Sequence, residues 1–130
     1  PIYTALRLVE IGAAEIDEQL LLKPQDVAGL KFVEEREQMP AKLPEDFYAR
    51  LKASVAQLKK EGDTKTLSAL ISNARDLIIR RMEKIARMLA ASPELVDNEE
   101  FMERLTPEER AIAQTLQGEL KALIDEILSP

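Results

Sequence analysis

Cysteine and histidine are both absent from the 130-residue chain, and the two absences remove most routes to catalysis. Without cysteine there is no disulfide, no thiolate metal site and no thiol nucleophile. Without histidine the commonest general base and the commonest zinc ligand are missing, and a serine–histidine–aspartate triad is impossible. Glycine is scarce, at 4 residues, and the glycines stand alone at positions 12, 29, 62 and 118, so no glycine-rich phosphate loop exists. Aromatic residues amount to only 4%, too few for a typical β-rich core. No apolar run approaches the roughly 20 residues that span a bilayer, and the N-terminus lacks a basic-then-apolar signal pattern. A cytoplasmic protein is expected.

What is present is helix-forming. Leu, Ala, Glu, Lys and Arg dominate, with 45% hydrophobic and 32% charged residues, a globular rather than a disordered balance. The formal net charge is −6, which repels phosphate backbones unless the basic residues gather on one face. The length suits one domain with a continuous core.

Periodicity divides the chain into helices joined by short breaks. Leu6, Val9, Ile16 and Leu20, with Ala13 between them, make one face of a first helix running from Ile2 to about Leu22. Lys23-Pro24 should end it, and Asp26 is placed to cap a second helix over Val27 to Gln38, where Leu30 and Phe32-Val33 offer a short apolar patch. Met39-Pro40-Ala41-Lys42-Leu43-Pro44 is a connector. The next helix should start at Pro44, with Glu45 and Asp46 at its positive end. Phe47, Leu51, Val55 and Leu58 then form an apolar stripe that Gly62 stops.

Asp63 or Thr64 opens the longest helix, which runs to about Ala91 and is closed by Ser92-Pro93. Its inner stripe reads Leu67, Leu70-Ile71, Ala74, Ile78, Ile85 and Leu89, widened by Leu77, Met82 and Met88. So broad a surface implies packing against more than one neighbour. An acidic loop follows, Asp97-Asn98-Glu99-Glu100, anchored by Phe101 and Met102. Thr106-Pro107-Glu108-Glu109 is the strongest helix start in the chain, a capping threonine with proline at the first helical position and a capping-box glutamate. Ile112, Leu116, Leu120, Leu123-Ile124 and Ile127 continue from it. The expected fold is all-α, an antiparallel bundle of four to five helices in a single domain over residues 1–130.

Two groups of side chains invite a functional reading. Asp97, Glu99, Glu100 and Glu103 are the densest carboxylates, but the stretch lacks the glycine turn of a calcium loop, and a solvated acidic loop is the plainer interpretation. Arg80, Lys84 and Arg87 make a basic ridge on the longest helix, with Arg75 and Arg81 beside it. Such a ridge can touch phosphate or an acidic partner; equally, it can pair with the acidic loop, Glu83 or Asp76. If Arg80 or Arg81 is drawn into that apolar helix, a carboxylate must accompany it.

Leu43-Pro44-Glu45-Asp46-Phe47-Tyr48, then Asn73-Ala74-Arg75 leading into Ile79-Arg80-Arg81-Met82-Glu83-Lys84-Ile85, and finally Leu105-Thr106-Pro107-Glu108-Glu109, resemble in order and spacing the helical domain of archaeal GINS subunits. The resemblance covers roughly residues 43–128. It implies a non-catalytic DNA replication scaffold without cofactor or metal, assembled as a tetramer with sister subunits or copies of itself. Such a complex joins the MCM helicase to a RecJ-like protein at the fork. It further implies that the long and last helices supply subunit contacts. The interface set would be Phe47, Tyr48, Arg75, Ile78, Arg80, Arg81, Lys84 and Ile85, with the basic residues as ionic anchors between helices or subunits. Family members usually carry a small β-rich domain attached to the helical one by a linker; nothing after Ile127 supplies one, and Ser129-Pro130 reads as the start of such a linker. The competing expectation is an unrelated helical adaptor that binds nucleic acid through its basic ridge. Direct DNA binding by the acidic chain is expected to be weak or absent.

Overall fold

A computed structural model describes residues 20–130. The expected first helix, with Leu6, Val9, Ala13 and Ile16, lies outside the described residues up to residue 19; at its expected end the structure corrects it, since Leu20 is in a 3-10 conformation and Leu21 and Leu22 are not helical. Among the described residues there is no strand, and after a 3-10 residue at Leu20 the elements are α1 (Pro24–Arg36), α2 (Phe47–Glu61), α3 (Thr64–Ala91), the 3-10 turn Pro93–Asp97, α4 (Glu99–Glu103) and α5 (Pro107–Leu128). No helix among them is long and apolar enough to cross a membrane.

The helix ends follow from local chemistry, and three of them correct the sequence reading. Pro24 opens α1 instead of standing before it, because a first-turn proline loses no hydrogen bond. Asp26 is not the cap; it sits in the first turn and its Oδ2 accepts from Lys23 N at 2.8 Å. α2 begins at Phe47 rather than Pro44, since Pro44 to Asp46 first makes a turn in which Phe47 N donates to Pro44 O at 3.0 Å. The acidic stretch after Ser92 is not an open loop: Asn98 caps the short α4 by accepting from Phe101 N at 2.9 Å. Elsewhere the expected signals hold. Gly62 ends α2 with φ 72°, a left-handed conformation that suits a residue without Cβ. Asp63 caps α3 through Thr66 N at 3.1 Å.

α2 and α3 form an antiparallel hairpin about Gly62. α1 lies along α3 in the same sense, tied by Asn73 Nδ2 donating to Pro24 O at 3.1 Å and by ion pairs Lys31–Asp76 at 3.5 Å and Arg80–Glu35 at 3.3 Å. The segment before α1 is pinned to α2, where Leu22 N donates to Ser54 Oγ at 2.6 Å and Arg50 Nε to Leu20 O at 2.7 Å.

Two apolar clusters form the core. Leu22, Val27, Leu43, Phe47, Leu51, Leu70, Ala74 and Leu77 join α1, α2 and the first half of α3. Ile85, Leu89, Phe101, Leu105 and Ala113 join the second half of α3 to α4 and α5. The buried stripe of α3 therefore runs through Leu70, Ala74, Leu77, Arg81, Lys84, Ile85 and Leu89. Leu67, Ile71, Ile78, Met82 and Met88 are only half-buried, so the helix is rotated toward Leu77 relative to the expected inner face. Between the clusters, where the apolar stripe has a gap after Ile78, the buried positions are Arg81 and Lys84.

Candidate functional site

Arg81 is fully buried, at 0% exposure, and every hydrogen on its guanidinium is used. Nε and Nη2 make a two-pronged bond to Glu109, at 2.7 Å to Oε2 and 2.7 Å to Oε1. Nη1 donates to Glu34 Oε1 at 2.7 Å and to the Ala41 carbonyl. Nη2 also donates to Arg104 O at 3.1 Å. The planar, forked donor set of arginine is what allows one side chain to reach α1, the connector, the α4–α5 turn and α5 at once.

The acceptors are equally occupied. Glu109 Oε1 takes Thr106 N at 3.0 Å in the helix-capping box, while Oε2 takes the Tyr48 hydroxyl at 2.7 Å. Glu34 receives Ala41 N on both oxygens, at 3.3 and 3.2 Å, and Lys84 Nζ on Oε2 at 2.7 Å. Lys84 Nζ also reaches the Glu34 and Met39 carbonyls. The two cations and two carboxylates cancel, which is the condition under which buried charge is tolerated. Tyr48 lies edge-on to Phe47, with ring centroids 5.2 Å apart, and so links the cluster to the apolar core.

The ionisation states follow from this packing. Burial opposes charge on Glu109, but the Arg81 hydrogen bonds and positive charge outweigh it and hold the carboxyl below its usual range. Burial likewise works against the Arg81 cation, and the hydrogen bonds and charges of Glu109 and Glu34 override it, raising its pKa further. Burial, followed by the charge and hydrogen bond of Glu109, raises the Tyr48 phenol, which stays protonated and donates. A neighbouring group is less well served. Glu108 is 6% exposed and its Oε2 has no hydrogen-bond partner. Burial raises its pKa, its own backbone N–H acts in the opposite direction, and the charges of Glu109 and Glu45 raise it again.

The expected interface residues separate into distinct environments. Phe47, Arg81, Lys84 and Ile85 turn into the core of this chain, Tyr48 and Ile78 are half-buried, and Arg75 and Arg80 are exposed. The basic ridge is thus divided by the fold: Lys84 serves Glu34 and Arg80 pairs with Glu35, while Arg87 remains outside. Glu83 is not the partner of the ridge, and Asp76 pairs instead with Lys31. The carboxylates that accompany Arg81 come from Glu34 and Glu109, neither of which the sequence reading singled out for this role. Signals for both exist. Glu34 continues the Val27–Leu30 face of α1, and Glu109 occupies the capping-box position next to a buried threonine. Among the described residues no three carboxylates converge as a metal site would require, Asp97 to Glu103 included.

The second feature is the outer half of α5. Leu123, Ile124, Ile127 and Leu128 are 58%, 50%, 68% and 73% exposed, and all residues from 121 to 130 lie on the surface. The apolar stripe that begins in the core therefore continues into solvent.

Among known families, the profile of the GINS complex protein helical bundle domain matches residues 14–128. No curated protein and no solved structure matches the chain significantly.

Proposed function

The chain belongs to the GINS helical-bundle family, and from that membership we propose that it is a non-catalytic scaffold subunit of a DNA replication complex. The match along residues 14–128 carries this reading. In the fuller form of the proposal, the subunit assembles with sister subunits, or with its own copies, into a tetramer. That tetramer holds the MCM helicase to a RecJ-like protein in the cytoplasm of an archaeal cell, as a helicase accessory.

The division of labour in the molecule supports the proposal. The buried ionic cluster fixes α1, α2, α3 and α5 relative to one another, as a rigid adaptor body requires. The exposed apolar tail of α5 and the outer side of α3, with Arg75, Ile79 and Arg80, then supply subunit contacts, with half-buried Ile78, packed on the first core cluster, at their edge. Phe47, Tyr48, Arg81, Lys84 and Ile85 act from inside, shaping those surfaces rather than touching a partner.

Affinity capture of the tagged chain from an archaeal extract at moderate salt, with mass spectrometry of the retained proteins, tests the reading. Recovery of a GINS sister subunit together with MCM or a RecJ-like protein is expected. A bait that retains none of them from an extract containing all of them refutes it.

A further inference from the structure

The stripe that α5 carries out of the core keeps a coiled-coil register. Ala113, Leu116, Leu120, Leu123 and Ile127 follow at alternating steps of three and four residues, the repeat that keeps one seam facing a partner helix. Ala113 is fully buried and Leu116 half-buried in this chain's own core, whereas Leu123 and Ile127 are 58% and 68% exposed. The inner half of the seam is therefore filled and the outer half is open.

The flanks of the open half say what fits there. Glu119 and Glu126 lie along one side of the seam, one heptad apart, with Gln117 and Ile124 along the other. Both glutamates are exposed and neither makes an ion pair among the described residues. In a coiled coil these flanking positions set the choice of partner. A second copy of the same tail places Glu119 and Glu126 against each other if laid antiparallel and sets Glu119 beside Ile124 if laid parallel, so neither self-pairing offers the glutamates an opposite charge. A helix with lysine or arginine along its flank meets them with opposite charge.

We propose that the outer half of α5 is a coiled-coil half-site for an amphipathic helix of a different chain, one with an apolar seam and a basic flank. This deepens the subunit reading and rests on it, by assigning the tail a heterotypic rather than a self-complementary contact.

The test uses the intact chain and two synthetic helical peptides with the same Leu/Ile seam, one flanked by lysine and one by glutamate, followed by fluorescence anisotropy. The lysine-flanked peptide is expected to bind about tenfold more tightly at low salt, with the preference shrinking as salt rises. Leu123→Asp with Ile127→Asp should abolish binding, and because both positions are exposed the body should melt as before. Glu119→Lys with Glu126→Lys should reverse the preference. Equal affinity for the two peptides, or binding of neither, overturns the half-site. So does self-association of the chain that Leu123→Asp abolishes, since that assigns the seam to a second copy. A tail indifferent to flank charge in a chain that still co-purifies with GINS sister subunits refutes only the half-site. Failure of that co-purification refutes the reading beneath it.

Discussion

Replacing Arg81 by Met tests the central physical claim, that one buried arginine holds the helices in register. The substitution removes a side chain of 0% exposure and leaves its acceptors in place. Glu109 loses both prongs of its ion pair and retains the Tyr48 hydroxyl and Thr106 N. Glu34 loses one bond and keeps Lys84. The Ala41 and Arg104 carbonyls lose a donor each. The uncompensated charge is therefore on Glu109, and breaking a buried pair from one side costs about 3–5 kcal/mol. Against a typical total of about 5–15 kcal/mol, the loss should move a urea unfolding midpoint, followed by circular dichroism, far below that of the parent. Adding Glu109→Gln removes the stranded charge while keeping a capping-box side chain. The double variant should consequently recover about 1–3 kcal/mol relative to the sum of the two single changes. A loss below about 1 kcal/mol for Arg81→Met, or strict additivity in the cycle, would refute the reasoning.

Glu109 and Glu108 should give opposite pH dependences. Glu109 is held below its ordinary range in the fold, so its contribution is present above the unfolded value and lost as pH falls through the folded one; Glu109→Gln should flatten the acid limb of a stability profile. Glu108 is raised, so stability declines as pH rises from the unfolded value through the folded one. Glu108→Gln should be more stable than the parent at neutral pH and close to it in acid, and a parallel profile in thermal melts would refute that. Thr106→Ala should cost about 1 kcal/mol, because Thr106 Oγ1 accepts from Glu109 N at 3.2 Å in a fully buried cap; an unchanged melt would show the cap to be idle. Ile85→Ala should cost about 2–5 kcal/mol, since Ile85 is 1% exposed. Half-buried Ile78 should cost clearly less in the same assay, and equal losses would contradict the observed rotation of α3.

The helices were legible in the sequence wherever a terminus carries its own chemistry. Gly62, Asp63 and the Thr106-Pro107-Glu108-Glu109 start needed no tertiary information. Pro24 was ambiguous because proline after a helical pattern signals both an end and a beginning, and only packing chooses. The apolar stripe of α3 was readable except for its rotation, which is set by Arg81 and Lys84 occupying core positions that a search for hydrophobic residues skips. The need for a carboxylate beside a buried arginine followed from charge alone. Which carboxylate did not, since Glu34 and Glu109 are brought to Arg81 across sequence separations of 47 and 28 residues.

Buried charge is an inefficient way to stabilise a core, since apolar side chains of the same volume serve as well or better. What the Arg81 cluster adds is geometry. An apolar contact tolerates sliding by a fraction of a turn, whereas the fork on Glu109 and the bonds to Glu34, Ala41 and Arg104 admit little displacement before charges are left unpaired. The same glutamate also caps α5 through Thr106, so the start and direction of that helix are tied to α3. The apolar seam at its far end is thereby aimed by a contact made in the core. On this argument Arg81→Lys is the informative companion to Arg81→Met. It keeps the charge and loses the fork, so it should weaken partner binding at the α5 tail even under conditions where the body remains folded. Undiminished binding would show that the direction of α5 is set by its apolar packing alone.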